Sequence, residues 1–513
     1  MNYRLLAKYL GIVCLLLGAT MSASLPWAWP SLGGSPSFEM NAFIALAGSI
    51  ATALVIGIIL LRFGRSASGQ LYRKEAMAIV GLSWILASII GALPFLLAQT
   101  HASQHQLMTV VDAVFESASG FTGTGATVIT DLEDTTQIAR AILFWRSETH
   151  FLGGLGIMVL FVAILGQGSA GKALMLAEMP GPSKETGWSR TQHAAWIFTF
   201  IYLGLNIILT GLLRLQGMSW FDALCHSFGT IATGGFSTYN ASVAHFQSVG
   251  IEMTIAVFMV LACTNFALLY LLLCWRPRQL LADVEFRTYL AILAIATLAV
   301  VLFGMKYHDF GSWHDALRFS FFQVVSIQTN TGFATDNFDR WNEFGRATLF
   351  FLMYVGGCAG STSCSIKVIR HILFIKILWL EIERAWHPSV VRQLKLGGKP
   401  IEDPQTRNSV LVYFGLILVI SVTSWMVLEI VEPDSGWDRP GHGRHEKLMD
   451  CASGVAATLN GVGPGLGTLG AIENYAHFQP ASKLLFVLLM ILGRLEVFAV
   501  VVLFVPRFWR SGY

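Results

Sequence analysis

Charge is scarce in this chain. Of its 513 residues only 13% are Asp, Glu, Lys or Arg and 54% are apolar, against a charged share of roughly 25% in soluble domains. A water-soluble globular protein is thereby excluded. The formal net charge of +3 is small and its basic part is confined to a few loops, so no nucleic-acid partner is implied. Cysteines are few and scattered: Cys14, Cys225, Cys263, Cys274, Cys358, Cys364 and Cys451 have no Cys-x-x-Cys spacing, which gives neither a disulfide framework nor a zinc site. Residues 100 to 137 and 216 to 250 contain no Lys or Arg, although they carry Asp112, Glu116, Asp131, Glu133, Asp134 and Asp222.

What the chain has instead is long apolar runs, at about Tyr9 to Trp29, Phe43 to Leu61, Ala76 to Leu97, Ile142 to Leu165, Ala194 to Leu215, Ile251 to Cys274, Tyr289 to Phe303, Leu349 to Tyr354, Ser409 to Val431 and Leu484 to Val505. Most approach the ~20 residues that span a bilayer core. The first run, preceded by Arg4 and Lys8, is long for the apolar region of a signal peptide and reads as a span. Arg62, Arg65, Arg73 and Lys74 follow the second run, Lys172, Lys184 and Arg190 the fourth, and Arg276, Arg278 and Arg287 the sixth. These mark cytoplasmic sides, so both termini are expected in the cytoplasm and the cation-free segments outside.

A short repeat lies in those outer segments. "TGTGAT" from Thr122, "ATGGFS" from Ala232, "TNTGFA" from Thr329 and "NGVGPG" from Asn460 each carry glycine fourth: Gly125, Gly235, Gly332 and Gly463. Thirteen residues earlier stand Asp112, Asp222, Phe319 and Asp450, with a short helix expected between. A helix of ~11 residues rises ~16 Å, half of a ~30 Å hydrocarbon core, so it must re-enter and return. Non-helical backbone at that depth is tolerated where it lines a water-filled path. Glycine lets such a loop turn its carbonyls toward an axis, where they replace a cation's hydration shell. The expected fold is an all-α polytopic membrane protein: two additional spans (1–70), then four span, short helix, glycine loop, span repeats around one central pore (71–170, 190–276, 284–388 with a broken second span, and 407–513).

These residues resemble the Trk/Ktr/HKT superfamily of potassium transporters over nearly the whole chain. The stretches that carry the likeness are "FESASGFTGTGAT", "FLGGLGIMVL", "AEMPGP", "SFGTIATGGFST", "FFQVVSIQTNTGFAT", "GGCAGST" with "IKVIR", "ATLNGVGPGLG" and "GRLEVF". The resemblance implies K⁺ as the transported ion, with no covalently bound cofactor. It also implies a selectivity filter made of Thr122, Gly123, Thr124 and Gly125; Ala232, Thr233, Gly234 and Gly235; Thr329, Asn330, Thr331 and Gly332; and Asn460, Gly461, Val462 and Gly463. The implied setting is a homodimer among the lipids of the bacterial inner membrane, with a cytosolic nucleotide-binding regulatory partner, TrkA. Gly123 departs from the family, where threonine is usual, which suggests a looser quarter of the filter.

By the same resemblance "YVGGCAGSTSCSIKVIR" is an intramembrane gating loop comprising Gly356, Gly357, Cys358, Ala359, Gly360, Ser361, Thr362, Ser363, Cys364 and Ser365. Relatives carry glycine in place of Ser363, Cys364 and Ser365, which suggests a stiffer loop here. Arg494, about halfway along the last run, carries a charge costing roughly 2.5 to 3.5 kcal/mol at mid-bilayer. It is expected to face the pore beside the loop, or to pair with an acid on another helix. Lys367 and Arg370 read equally well as snorkelling residues, and Arg146, Glu148 and His150 as organisers of the outer start of a span. "GQGSAGKA" (Gly166 to Ala173) imitates a phosphate loop, but it follows a membrane span and ends in Ala173 where Ser or Thr is needed. "HGRHE" (His442 to Glu446) lacks a third placed metal ligand. Coupling of K⁺ to H⁺ or Na⁺ remains the alternative mechanism. A transporter of larger solutes is disfavoured by the fourfold loop, and an intramembrane enzyme using Ser361 and Lys367 by the lack of any motif.

Overall fold

The computed structural model describes the chain except residues 67–70, 104–105, 157–190, 389–394, 398, 401–403, 435–436, 438–443, 496 and 510–513. Part of the fourth apolar run, the Gly166 to Ala173 segment, Lys172, Lys184, Arg190 and His442 therefore lie outside the described residues.

Among the described residues the regular elements are helices, apart from two small hairpins, His101–Ser103 with Gln106–Leu107 and Lys395–Leu396 with Lys399–Pro400. Helices α1 (Tyr3–Met21) and α2 (Met40–Gly64) come first and cross closely. A Cβ on Gly11 would meet the Gly57 carbonyl at 2.9 Å, the close approach that small residues permit between membrane helices. Six described helices are long and apolar enough to cross a membrane, or up to eight counting bent pairs. Apolar side chains such as Ile44, Val55, Ile58 and Ile59 of α2 are exposed, as a lipid-facing surface requires.

Four units follow. The first is α3 (Arg73–Leu97), short α4 (Val110–Thr122) and α5 (Arg140–Leu155). The second is α6 (Thr191–Leu215), short α7 (Trp220–Ile231) and the pair α8 (Val249–Ala262) and α9 (Phe266–Leu273). The third is α10 (Val284–Lys306), short α11 (Trp313–Gln328) and the pair α12 (Glu343–Leu352) and α13 (Val368–Trp386). The fourth is α14 (Pro404–Val431), α15 (Arg444–Asn460) and α16 (Pro480–Arg494), followed by α17 (Phe498–Val501).

The short helices run 13, 12, 16 and 17 residues, about 18 to 26 Å at 1.5 Å per residue. Three begin in the same way. The Thr109, Ser219 and Ser312 hydroxyls accept the backbone N–H of Asp112, Asp222 and Asp315 at 3.2, 3.0 and 3.1 Å, satisfying a helix-end donor. The acid of the third copy is thus Asp315, one turn before Phe319, because α11 is longer. In the fourth copy Asp450 lies inside α15 and accepts Trp437 Nε1 at 2.8 Å and Thr468 Oγ1 at 2.5 Å. An acid thirteen residues before the glycine is therefore not one shared device.

The sixth apolar run is broken: α8 and α9 meet at a bend of 106°. The Asn265 side chain accepts the Ala267 N–H at 2.8 Å and starts α9. The opened backbone is satisfied by the second break, between α12 and α13. Cys358 N–H donates to Cys263 O at 2.9 Å, Phe266 N–H to Gly360 O at 3.0 Å and Thr362 N–H to Ala262 O at 3.3 Å. Each irregular segment supplies the partners that the other lost, as non-helical backbone within a membrane demands.

Candidate functional site

Every short helix runs directly into its glycine loop and stops in the same way. Gly123, Thr233, Asn330 and Gly461 have left-handed φ of +67°, +55°, +58° and +65°. The next N–H in each loop, that of Thr124, Gly234, Thr331 and Val462, turns back to Ser119, Gly229, Ser326 and Ala457 carbonyls at 2.9, 2.8, 2.9 and 2.8 Å. This is the Schellman termination. Gly123 shares the backbone of its counterparts, so glycine there relieves local strain and leaves the course of the loop unchanged.

The repeated glycines close these loops into a ring. Gly125, Gly235, Gly332 and Gly463 have φ of +81°, +77°, +82° and +91°. A Cβ on Gly125 would lie 2.1 Å from Gly234 O, on Gly235 1.9 Å from Thr331 O, on Gly332 2.1 Å from Val462 O, and on Gly463 2.4 Å from Thr124 O. Each glycine therefore packs on the carbonyl just before the glycine of the next loop, and the fourth returns to the first. Only glycine suits both the backbone angle and the contact.

Carbonyls of Gly123, Thr124, Thr233, Gly234, Asn330, Thr331, Gly461 and Val462 accept no hydrogen bond among the described residues, although these residues are buried. Buried acceptors without donors are rare and ask for a reason; uncharged oxygens in this number suit a desolvated monovalent cation. Each short helix also ends here, adding a partial negative charge of about half an electron. The repeated glycines line one cavity of about 80 Å³ on the side of the segments that follow them, with Tyr239 and Glu473. Asp131 and Glu133 accept the Asn240 side-chain and backbone N–H at 2.7 and 3.1 Å, linking the segments that follow the first and second loops.

A second layer holds the ring, and its residues escape the motif. Nine positions before the glycines stand Glu116, His226, Gln323 and Gly454. Glu116 accepts Val128 N–H at 2.9 Å, His226 Nε2 meets Ser237 Oγ at 3.0 Å, and Gln323 accepts Thr335 N–H at 3.1 Å. In the fourth unit Ser453, one residue earlier, accepts Leu466 N–H at 3.0 Å. One tether is thus made by four chemistries; the offset of nine shared by three of them was the available signal. Arg146 pairs with Glu116 at 2.6 Å, donates to Ser237 O at 3.0 Å and lies 3.4 Å over the Phe236 ring. His150 bridges Gly120 O at 2.7 Å and Phe236 N–H at 3.1 Å. Arg146 and His150 therefore join the first loop to the second, beyond organising a span, while Glu148 accepts Ser24 Oγ at 2.6 Å.

The segment from Gly356 to Ser365 lies against the helix-side end of the ring, opposite that cavity. Ser365 Oγ meets Asn460 Oδ1 at 2.9 Å, Cys364 Sγ meets Thr122 O at 3.5 Å, and Cys263 Sγ meets Thr329 O at 3.2 Å. Gly357 N–H donates to Ser363 Oγ at 3.0 Å, and Ser361 Oγ to Cys358 O at 2.6 Å. Lys367 is buried and turns onto the Ser363 carbonyl, so it does not snorkel. Arg370 stacks 4.0 Å over Tyr413. Glu285 accepts the N–H groups of Ala359 and Ile369 at 2.7 and 3.2 Å; sequence reading gave it no role. Arg494 ends α16, and its guanidinium reaches Thr362 O at 2.8 Å, Cys364 Sγ at 3.5 Å and Gly153 O at 2.5 Å. It meets loop and helix-end acceptors; the expected alternative, an acid on another helix, is not among these contacts.

Together these features define a multi-pass α-helical membrane protein in which four short-helix and loop units close one ring of main-chain oxygens. Residues 45–511 match the family described as TrkH, cation transport protein. The chain belongs to this family. It is 35% identical over 517 residues to the Trk system potassium uptake protein TrkH of Salmonella typhimurium, and 34% identical to that of Escherichia coli K12, with 100% of both chains covered in each comparison. The Escherichia coli protein TrkG is 34% identical over 86% of this chain and 87% of its own. The crystal structure of the potassium transporter TrkH from Vibrio parahaemolyticus superposes with a TM-score of 0.84 at 32% identity, covering 99% of this chain and 100% of that one.

Proposed function

We propose that this protein takes up K⁺ across the bacterial inner membrane, both termini cytoplasmic, through the four-loop ring acting as a selectivity filter. The observation that carries the reading is the closed set of donor-free carbonyls, at Gly123 and Thr124, Thr233 and Gly234, Asn330 and Thr331, and Gly461 and Val462. Such oxygens replace the hydration shell of a monovalent cation without a fixed negative charge. Ions enter from the outer cavity and move down their electrochemical gradient. The Gly356 to Ser365 loop and Arg494 gate the inner end. Assembly as a homodimer, with a cytosolic nucleotide-binding partner of the TrkA kind, completes the proposal.

Rubidium and potassium uptake in a potassium-uptake-deficient strain tests the filter. Gly125→Ser and Gly332→Ser each place a side chain against a carbonyl of the next loop, so K⁺ preference over Na⁺ should fall in both. Unaltered preference in both variants would remove the filter assignment. Recordings with and without the purified nucleotide-binding partner test regulation.

A further inference from the structure

We propose that Cys364 closes the inner end of the ring by supplying, from the intramembrane loop, the side chain that Gly461 lacks. The inference rests on reading the ring as a filter and the loop as its gate, and it assigns the closing contact to one residue. Gly123, Thr233, Asn330 and Gly461 share a left-handed backbone, so any side chains there leave the ring in equivalent directions. Thr233 and Asn330 carry one; Gly123 and Gly461 do not. A Cβ on Gly461 would lie 2.8 Å from Cys364 Cβ and 2.9 Å from its Sγ, whereas a Cβ on Gly123 meets nothing nearer than Ala232 O at 3.4 Å. Cys364 therefore fills one of two equivalent notches, whereas in the other a Cβ would find only ordinary contact with the second loop.

Its thiol makes a second contact with the ring, to Thr122 O of the first loop at 3.5 Å, and Arg494 Nη1 reaches the same sulfur at 3.5 Å. An S–H directed at Thr122 O occupies that carbonyl, so the oxygen is withheld from a cation while the loop is seated. Ser365 holds the seat: its hydroxyl lies 2.9 Å from Asn460 Oδ1 and 3.0 Å from Met353 O. Its φ of +59° is left-handed without being glycine, a strained geometry that packing must enforce. One short segment thus touches the first and fourth loops and the end of α16, and moving it frees all three contacts.

The test is Rb⁺ flux through the purified full chain in proteoliposomes, with K⁺/Na⁺ preference measured alongside. Cys364→Gly should raise flux at least fivefold with preference unchanged. Cys364→Ser, which still fills the notch and donates, should stay within twofold of the native protein. Gly461→Ala adds a methyl where Cys364 sits and should also raise flux by unseating the loop. Combined with Cys364→Gly, the methyl refills the notch, and flux should fall below that of either single variant. Native flux in Cys364→Gly, or additive effects in the double variant, would overturn the proposal. Should Cys364→Gly not fold, peptide mapping of methanethiosulfonate labelling decides. Cys364 should label at least tenfold faster in Ser365→Gly than in the native chain, and equal rates would overturn it. Failure of the filter reading is separate, because it shows as unchanged preference in Gly125→Ser and Gly332→Ser.

Discussion

Gly235 packs against Thr331 so closely that a Cβ on it would fall 1.9 Å from the Thr331 carbonyl oxygen, while the same addition on Gly123 meets nothing nearer than 3.4 Å. Two glycines two positions apart in the repeat thus serve different purposes, one for contact and one for backbone angle. Gly235→Ala must push the second loop off the third. Rb⁺ uptake should fall at least tenfold, equivalent to ~1.4 kcal/mol. Gly123→Thr restores a residue type that Thr233 already supports at φ +55°, and it should keep uptake within about threefold. Equal damage from both variants would contradict the contact argument.

The Glu116 and Arg146 pair is fully buried at 2.6 Å. Removing one member leaves a buried charge alone, which typically costs 3 to 5 kcal/mol. Arg146→Gln and Glu116→Gln should each lower the thermal unfolding midpoint in detergent. The double variant should lose clearly less than the sum, because residues of one network do not add. Strict additivity would show that the two side chains act independently.

The glycine repeat was legible in the sequence because a left-handed backbone and a close carbonyl contact both select the same residue at Gly125, Gly235, Gly332 and Gly463. The tethers behind it were not. Glu116, His226, Gln323 and Ser453 do the same job with different chemistries, and one is offset by a residue. The break after Ala262 was hidden because only Thr264 and Asn265 interrupt the apolar run there, and the donors that satisfy it, Cys358 and Thr362, stand about 100 residues away. The shared acid misled for a related reason: α11 starts a turn early, and Asp450 is a helix-interior hydrogen-bond acceptor.

Glu285 is the support most exposed to test. Its Oε1 accepts both Ala359 and Ile369 N–H, at 2.7 and 3.2 Å, and so ties the loop to the start of α13. Glu285→Ala strands two donors, the buried one of Ile369 and the part-buried one of Ala359, at roughly 1 to 3 kcal/mol for a buried group. Thermal stability should fall and basal Rb⁺ flux rise at least threefold. Glu285→Gln keeps an acceptor oxygen and should recover most of the stability. A variant pair with equal stability would mean that the carboxylate does not hold the loop.

Asp339, in the linker after the third loop, accepts Gly467 N–H at 2.8 Å and so ties the third unit to the fourth. Burial holds its carboxyl up to about 6, partly offset by that bond and by Arg346; an unfolded Asp titrates near 3.9. The folded value is the higher one, so its contribution is complete below about pH 4 and is lost as pH rises through about 6. Asp339→Asn keeps an acceptor for Gly467 but has no proton to lose. Between pH 4 and 7 the native protein should therefore lose on the order of 2 kcal/mol relative to Asp339→Asn. Thermal unfolding of both across that range measures the difference, and parallel curves would show that Asp339 ionises in the folded chain as freely as in water.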